Sequence, residues 1–399
     1  MPKAQSQAIS PAVGLLVICL LLSCGNENSS PHTPPPSAIS GTSKISPKTK
    51  LQIPRGGLDL AAADREAHRL SELSLRYLAK QQNEDGSFGG AESRHIHIGL
   101  TAIATMAFLA HGDSEFRGEF HQTATLGVKF LMKCVTAEGV RKGYFESNAD
   151  TKSRMHGQGL ATLALTQVDG MFGVKRQYAS SAAELRRVIK NATDVIIRSQ
   201  SLEGGWDYEP FNRIDDEGSI TVCIIQALRG ARNAGYTVPP ETIRSALDYI
   251  RKSQKPDGSV RYSLNGDLKS TFELTAAGAA TLSYGGQYFE KSLRRARDFL
   301  WNQGLEGFLA AEHSFPFYGL FYAVQVLHLD YEDVRGRRLE RCYPMIVNWF
   351  SKRFDDRSNT FEETSRQSHA EVDYGPVYRA AFAALTLQIR NGYLPIFQR

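Results

Sequence analysis

Asp215-Asp216-Glu217 stands directly before an apolar run and is the most enzyme-like cluster in the chain. Neighbouring carboxylates resist carrying two negative charges, which raises one pKa and suits a general acid of ordinary strength. Acids solvated in a loop account for the same three residues, so both readings stay open. Equivalent positions, each at the start of an apolar run, hold His95 and His97; Arg154, His156 and Gln158; Ser219; Thr271 and Glu273; Tyr318 and Tyr322; and Glu371, Asp373, Tyr374 and Tyr378. Taken singly, most of these are equally well explained as helix caps, each contributing about 1 kcal/mol by satisfying free N–H groups. Asp215-Asp216 and Asp355-Asp356 lack the following acid that a Mg²⁺-diphosphate clamp needs. The sequence also has no Cys-Gly-x-Gln thioester site. We expect neither metal nor cofactor.

The elements that must position these groups are repeated. Tyr77-Leu78 to Gln82-x-x-x-Gly86-x-Phe88, Val195-Ile196 to Gln200-x-x-x-Gly204-x-Trp206, Tyr249-Ile250 to Gln254-x-x-x-Gly258-x-Val260, and Phe299-Leu300 to Gln303-x-x-x-Gly307-Phe308 each end one amphipathic run and precede another. The unit is helix, glycine turn, helix. We expect the Gln amide to bond open carbonyls of the preceding helix, Gly to permit the reversal, and the aromatic to pack the turn. Gln82 and Gln200 are 118 residues apart, against 54 and 49 for the later gaps, so a degenerate unit lies between them. It spans Lys129 to Lys133, Glu138-Gly139 and Gly143-Tyr144-Phe145, with the Gln lost. A sixth unit runs from Met345 through Asn359-Thr360-Phe361 to a helix around Tyr374–Ile389.

The motif resembles the repeat of terpenoid cyclases and protein prenyltransferases. More specifically, His156-Gly157-Gln158-Gly159-Leu160, Gly204-Gly205-Trp206-Asp207-Tyr208, Ala227-Leu228-Arg229-Gly230 and Tyr393-Leu394-Pro395-Ile396-Phe397 are similar to bacterial prenyltransferase/squalene oxidase repeat proteins, over roughly residues 60 to 399. The resemblance implies an all-α fold, an (α/α)6 toroid of six helical hairpins with inner and outer rings. Inner helices are expected near His95–Ala110, Met155–Gln167, Ser219–Gly230, Phe272–Leu282, Phe317–His328 and Tyr374–Ile389. In such a toroid the inner helices run parallel, so their N-terminal turns converge on one rim. That rim, with the helix walls below it, would collect His95, His97, His156, Gln158, Glu273, Tyr318, Tyr322, Asp373, Tyr374 and Tyr378. Deeper positions such as Ala102-Ile103-Ala104 and Ala276-Ala277-Gly278-Ala279-Ala280 either let backbones approach or leave an apolar cavity.

The resemblance supplies a scaffold without its usual catalytic groups. Squalene cyclases protonate an alkene with an Asp-x-Asp-Asp motif, which this chain does not contain. Glu217 stands where related bacterial proteins carry Asp, and Gln158 where they carry His. Protein prenyltransferases hold zinc with Asp, Cys and His. Cys134 and Cys342 fall on outer helices and Cys223 on an apolar inner face with no His within a turn, so none matches a zinc ligand.

The N-terminus addresses location. Lys3, the apolar run Val13–Leu22 and Leu21-Leu22-Ser23-Cys24 read as a lipoprotein signal over residues 1–23, with Cys24 acylated. Residues 24–58, rich in Pro and Ser, cannot bury enough apolar surface to fold and read as a disordered tether. The toroid is expected over residues 59–399 as one domain. A formal charge of +5 in 399 residues, partly in the tether, leaves no nucleic-acid footprint. The expected protein is exported, anchored in a cell-envelope membrane, and binds an isoprenoid-like apolar ligand or an envelope protein. A divergent terpenoid cyclase using Asp215, Asp216 or Glu217 is the enzymatic alternative, and a solid structural toroid the third.

Overall fold

The computed structural model describes residues 59–90, 96–115, 117–172, 179–264, 269–313, 315–362 and 374–398. The proposed signal, Cys24 and the tether lie outside them, as do His95, Glu371 and Asp373.

Asp59 caps α1 (Leu60–Gln81), its carboxylate accepting from the Ala62 N–H at 2.6 Å. Only one stripe of α1 is buried, including Ala63, Ala67, Leu70, Ser74 and Leu78, as the helical period requires of an outer element. By contrast α2 (His97–His111) is buried on every side from Ile98 to Ala110, because it lies between outer helices and the centre. The alternation continues through α3 (His121–Lys133), α4 (Arg154–Phe172), α5 (Ala179–Arg198), α6 (Gly218–Asn233), α7 (Pro240–Ser253) and α8 (Phe272–Tyr284). Next come α9 (Lys291–Phe299), a π-helical turn (Leu300–Gly304), α10 (Leu305–Ala310), α11 (Pro316–His328), α12 (Arg337–Ser351) and α13 (Gly375–Leu387). Two short antiparallel hairpins decorate turns: β1 (Val260–Arg261) with β2 (Ser270–Thr271), and β3 (Phe354–Asp355) with β4 (Thr360–Phe361).

Helices α2, α4, α6, α8, α11 and α13 each pack on the next, and α13 returns to α2. The inner ring is therefore closed, and α1 seals the outer ring against α12 and α13. This is the expected all-α (α/α)6 toroid.

The repeat motif works differently from its expected helix-capping role. Gln82 Nε2 donates to the carbonyls of Gly86 (3.1 Å) and Thr123 (2.9 Å), Gln200 Nε2 to Gly204 and Thr242 (both 2.9 Å), and Gln254 Nε2 to Gly258 (3.1 Å) and Ser292 (2.8 Å). Each amide thus pins its own turn to the next outer helix. The glycines allow that approach: at Gly204, φ is +100° and a Cβ would lie 2.2 Å from the Ser245 carbonyl oxygen. No side chain fits there, and only Gly adopts the backbone without strain.

The degenerate unit keeps this clamp by another route. Gln158 Nε2 donates to Gly143 O and Ala192 O (both 3.1 Å), while its Oε1 accepts from the Phe145 N–H at 3.0 Å. In intact units the last contact is made by a threonine of the inner helix: Thr101 to Phe88 N, Thr221 to Trp206 N and Thr275 to Val260 N. Gln158 occupies the threonine position, and its longer side chain performs both tasks. The fourth motif is not a turn at all. Residues 299–308 continue as helix through the π-helical turn, burying Leu300, Leu305 and Phe308, because the spacer between Gly307 and Phe308 is missing and the apolar period stays helical.

Candidate functional site

A pocket opens among the N-terminal halves of five inner helices. Ile96, Gly99, Leu100 and Ile103 come from the start of α2, His156 and Leu160 from α4, Cys223 from α6, Phe315, Tyr318 and Tyr322 from α11, and Tyr378 and Phe382 from α13. One wall is aliphatic and the opposite one aromatic. Tyr318 and Tyr322 meet edge to face at 4.8 Å, and Tyr378 packs on Phe382 at 4.7 Å and on Tyr374 at 5.2 Å. The cavity between these side chains measures about 30 Å³. That is room for about two waters. Small side chains lower in the ring serve close packing: Ala276, Ala280, Ala380 and Ala384 have no exposed surface.

The opposite end is shut by the C-terminal segment. Ile396 N–H donates to Gln167 Oε1 at 2.8 Å, His328 Nε2 lies 2.9 Å from the Phe397 carbonyl, and the Phe397 ring packs on Phe321 at 6.5 Å.

His156 is the one imidazole among the described lining residues, beside the hydroxyl-bearing Tyr318, Tyr322 and Tyr378. It is fully buried, and burial lowers its pKa to about 3, so the imidazole is neutral at ordinary pH. Its Nε2 lies 3.1 Å from Ser219 Oγ, which in turn donates to Glu217 Oε2 at 2.5 Å. Glu217 also accepts from the N–H groups of Ser219 (3.0 Å) and Ile220 (2.9 Å). It is the N-cap of α6.

The other expected residues are placed elsewhere. Asp215 is bonded to Asn212 Nδ2 at 3.0 Å on the surface. Asp216 is half-buried beside Gly205 and Tyr249, and burial raises its carboxyl above the usual range. Neither these two acids nor Glu217 lines the pocket. His97 lies near Asp85 in the first repeat turn, and Gln158 is consumed by its clamp. Glu273 packs between His313 (Nδ1 to Oε1 3.6 Å) and the bare face of Gly319, where burial raises its pKa. Of the expected residues, His156, Tyr318, Tyr322 and Tyr378 converge on one space, with Tyr374 behind Tyr378.

Sequence reasoning placed Phe315 near the rim and Ile103 on a stretch that could border a cavity, but did not name Ile96, Gly99, Leu100, Leu160, Cys223 and Phe382 as lining. The signal was available as one stripe per inner helix, such as Ile96, Gly99, Leu100 and Ile103 at i, i+3, i+4 and i+7. The three described cysteines are reduced and buried, and burial raises each thiol. No group of three or more His, Cys, Asp or Glu is arranged to hold a metal ion among the described residues. No described helix is long and apolar enough to cross a membrane.

Solved structures with the same architecture span several chemistries. A type II terpene cyclase from Scytonema, in complex with geranylgeranyl dihydroxybenzoate, is 12% identical with a TM-score of 0.56, covering 84% of this chain and 100% of the cyclase. Cellobiose 2-epimerase from Bacillus thermoamylovorans is 16% identical with a TM-score of 0.59, covering 82% of this chain and 99% of the epimerase. A GH76 α-mannanase from Bacteroides thetaiotaomicron is 11% identical with a TM-score of 0.56, covering 83% and 98%. At these identities the likeness is one of fold. No curated protein matches the sequence. Residues 56–308 match the family described as the prenyltransferase alpha-alpha toroid domain, and the chain belongs to that family.

Proposed function

We propose that this toroid is a binding protein for an apolar, isoprenoid-like ligand and does not carry out squalene-cyclase or protein-prenyltransferase chemistry. The observation that carries the reading is the composition of the pocket: of the twelve described residues that line it, eleven are apolar or aromatic and none is a carboxylic acid. Alkene protonation needs a strong acid pointing at the substrate, and Asp215, Asp216 and Glu217 are engaged outside the lining. A hydroxyl-rich sugar needs several convergent polar groups, so the epimerase and mannanase chemistries fit this lining poorly. The narrow volume suits no more than the end of an apolar chain, with the remainder of the ligand emerging at the mouth.

The test is native mass spectrometry of the full-length protein after gentle detergent extraction. A co-purifying apolar lipid that is lost in Leu160→Trp, with the melting temperature retained, supports binding in this pocket. An empty spectrum from several membrane sources sinks it in favour of a structural toroid.

We further propose that the chain is exported and anchored through acylated Cys24, which would set the pocket near its lipid supply. The Leu21-Leu22-Ser23-Cys24 motif motivates this. Incorporation of a labelled fatty acid that persists in Cys24→Ser would overturn it.

A further inference from the structure

The end of the toroid away from the pocket gathers exposed apolar side chains and unpaired cations. The inner helices begin at the pocket, so α1, which leads through its turn into α2, begins at the other end. There Asp64, near the start of α1, pairs with Arg390 beyond the end of α13, with 2.8 Å from Nε to Oδ1. Two loops meet at this end, 285–290 between α8 and α9 and 329–336 between α11 and α12. Tyr288 packs on Tyr331 edge to face at 4.6 Å, and Arg294 Nε lies 2.6 Å from Glu332 Oε1. The loops leave Phe289 61% and Val334 89% exposed, and Tyr393 is 47% exposed at the same end. Every acid of the two loops is engaged: Glu290 with Arg251, Glu332 with Arg294, Asp330 with Arg297 and Arg338, and Asp333 with the N–H groups of Arg338 and Leu339. Lys291, Arg335 and Arg337 are exposed and have no ion-pair partner among the described residues.

Resting on the anchor reading above, we propose that this end docks on an anionic bilayer, with Phe289 and Val334 entering the headgroup region and Lys291, Arg335 and Arg337 meeting lipid phosphates. Exposed apolar side chains beside cations that no acid neutralises suit such a surface on both counts. The chain that precedes Asp59 joins at this end, so an anchor at Cys24 holds it nearest the membrane. Ile214 is comparably exposed, at 79%, but it lies at the pocket end beside Asp215, whose charge opposes an anionic surface. The pocket then stands at the far end of inner helices of 13 to 19 residues, about 20 to 30 Å above the headgroups.

The test uses the full-length protein, labelled with nitrobenzoxadiazole at Val334→Cys or at Ile214→Cys and reconstituted into vesicles of phosphatidylcholine and phosphatidylglycerol that carry doxyl-labelled lipid. Quenching is read on the floated vesicles, with the signal of the equally treated wild type subtracted. It should be at least threefold greater at 334 than at 214. It should fall when phosphatidylglycerol is omitted or salt is raised, since exposed charges are screened. Combining Phe289→Asp with Arg335→Ser and Arg337→Ser should lower it as well, and these exposed positions should leave the melting temperature unchanged. Equal or absent quenching at the two sites, or stronger quenching at 214, overturns the docked face and leaves the anchor intact. Quenching at 334 that ignores both phosphatidylglycerol and the three substitutions also overturns it. A protein that does not float with the vesicles overturns both readings.

Discussion

His156 Nε2 on α4 lies 3.1 Å from Ser219 Oγ on α6, joining two inner helices by a buried polar contact at the wall of the pocket. The contact ties stability to pH. Burial holds His156 near a pKa of about 3, whereas the unfolded chain titrates near 6.5. Between those values the unfolded state binds a proton that the folded state refuses, so stability falls as pH drops from 6.5 toward 3 and is unaffected above 6.5. His156→Gln should flatten that acid limb, recovering up to several kcal/mol near pH 4. Chemical denaturation of both proteins at pH 4 and pH 8 checks it, and an unchanged acid limb in the variant would show that other groups dominate.

A second histidine works in the opposite direction. His111 at the end of α2 bridges Asp113 and Glu72, with 2.7 Å from Nδ1 to Oδ2 and 2.7 Å from Nε2 to Oε1. The hydrogen bond to Asp113 raises its pKa above 6.5, with burial opposing and Glu72 assisting. This stabilisation is complete below 6.5 and is lost as pH rises through the raised folded value. We expect Glu72→Gln to lower the His111 pKa measured by NMR, and the variant to lose more stability at pH 6 than at pH 9.

Gln158 should behave as a fold residue. Replacing it with Ala leaves the Phe145 N–H and the Gly143 and Ala192 carbonyls without their buried partner, costing about 2 to 5 kcal/mol. Gln158→Thr should restore only the Phe145 contact, because the shorter side chain cannot reach Ala192. Thermal unfolding of both variants checks the order: alanine lowest, threonine intermediate, wild type highest.

Two turn glycines, Gly139 outside a clamp and Gly204 within one, separate strain from collision. Gly139 has φ +74° with no atom within 4 Å of a Cβ, so Gly139→Ala should cost only about 1 kcal/mol for its backbone. Gly204→Ala adds a contact at 2.2 Å from Ser245 O, for which we expect a total of about 3 kcal/mol or more. Equal melting temperatures for the two variants would refute the close-approach argument.

The ring was legible because its signal is periodic and local. Gln82, Gln200 and Gln254 mark real turns, and all six inner helices begin within two residues of the expected start. What the residues could not disclose was long-range. Gln82 meets Thr123 from 41 positions away and Gln158 meets Ala192 from 34, so the clamp exists only once adjacent hairpins pack. At Gln303 the local signal misled, because a motif lacking one spacer residue still satisfies the helical period. The pocket was half legible for a related reason. Helix starts locate a rim, but which rim side chains turn inward depends on helix rotation. Rotation of α11 turned Tyr318 toward the centre, and the loop before α6 carried Asp216 to Tyr249.

Phe397 provides a way to open the toroid from below. It is buried at 2% exposure, packs on Phe321, and through Phe321 supports Phe382 of the pocket wall, with Phe321 and Phe382 rings 5.6 Å apart. Truncation to Ala removes a large ring from a site held by the Ile396 to Gln167 hydrogen bond, so the segment should stay docked and a cavity should remain. Such truncations cost about 3 to 5 kcal/mol. The space gained adjoins Phe321 and allows that ring to withdraw from Phe382, enlarging the pocket without touching its mouth. We expect Phe397→Ala to lower the melting temperature and to bind the neutral apolar dye N-phenyl-1-naphthylamine more tightly than the wild type. Phe397→Leu, which refills most of the volume, should reverse both effects. Lower stability with unchanged dye binding would mean that the ring beneath the pocket only braces the barrel and does not set the depth of the space above it.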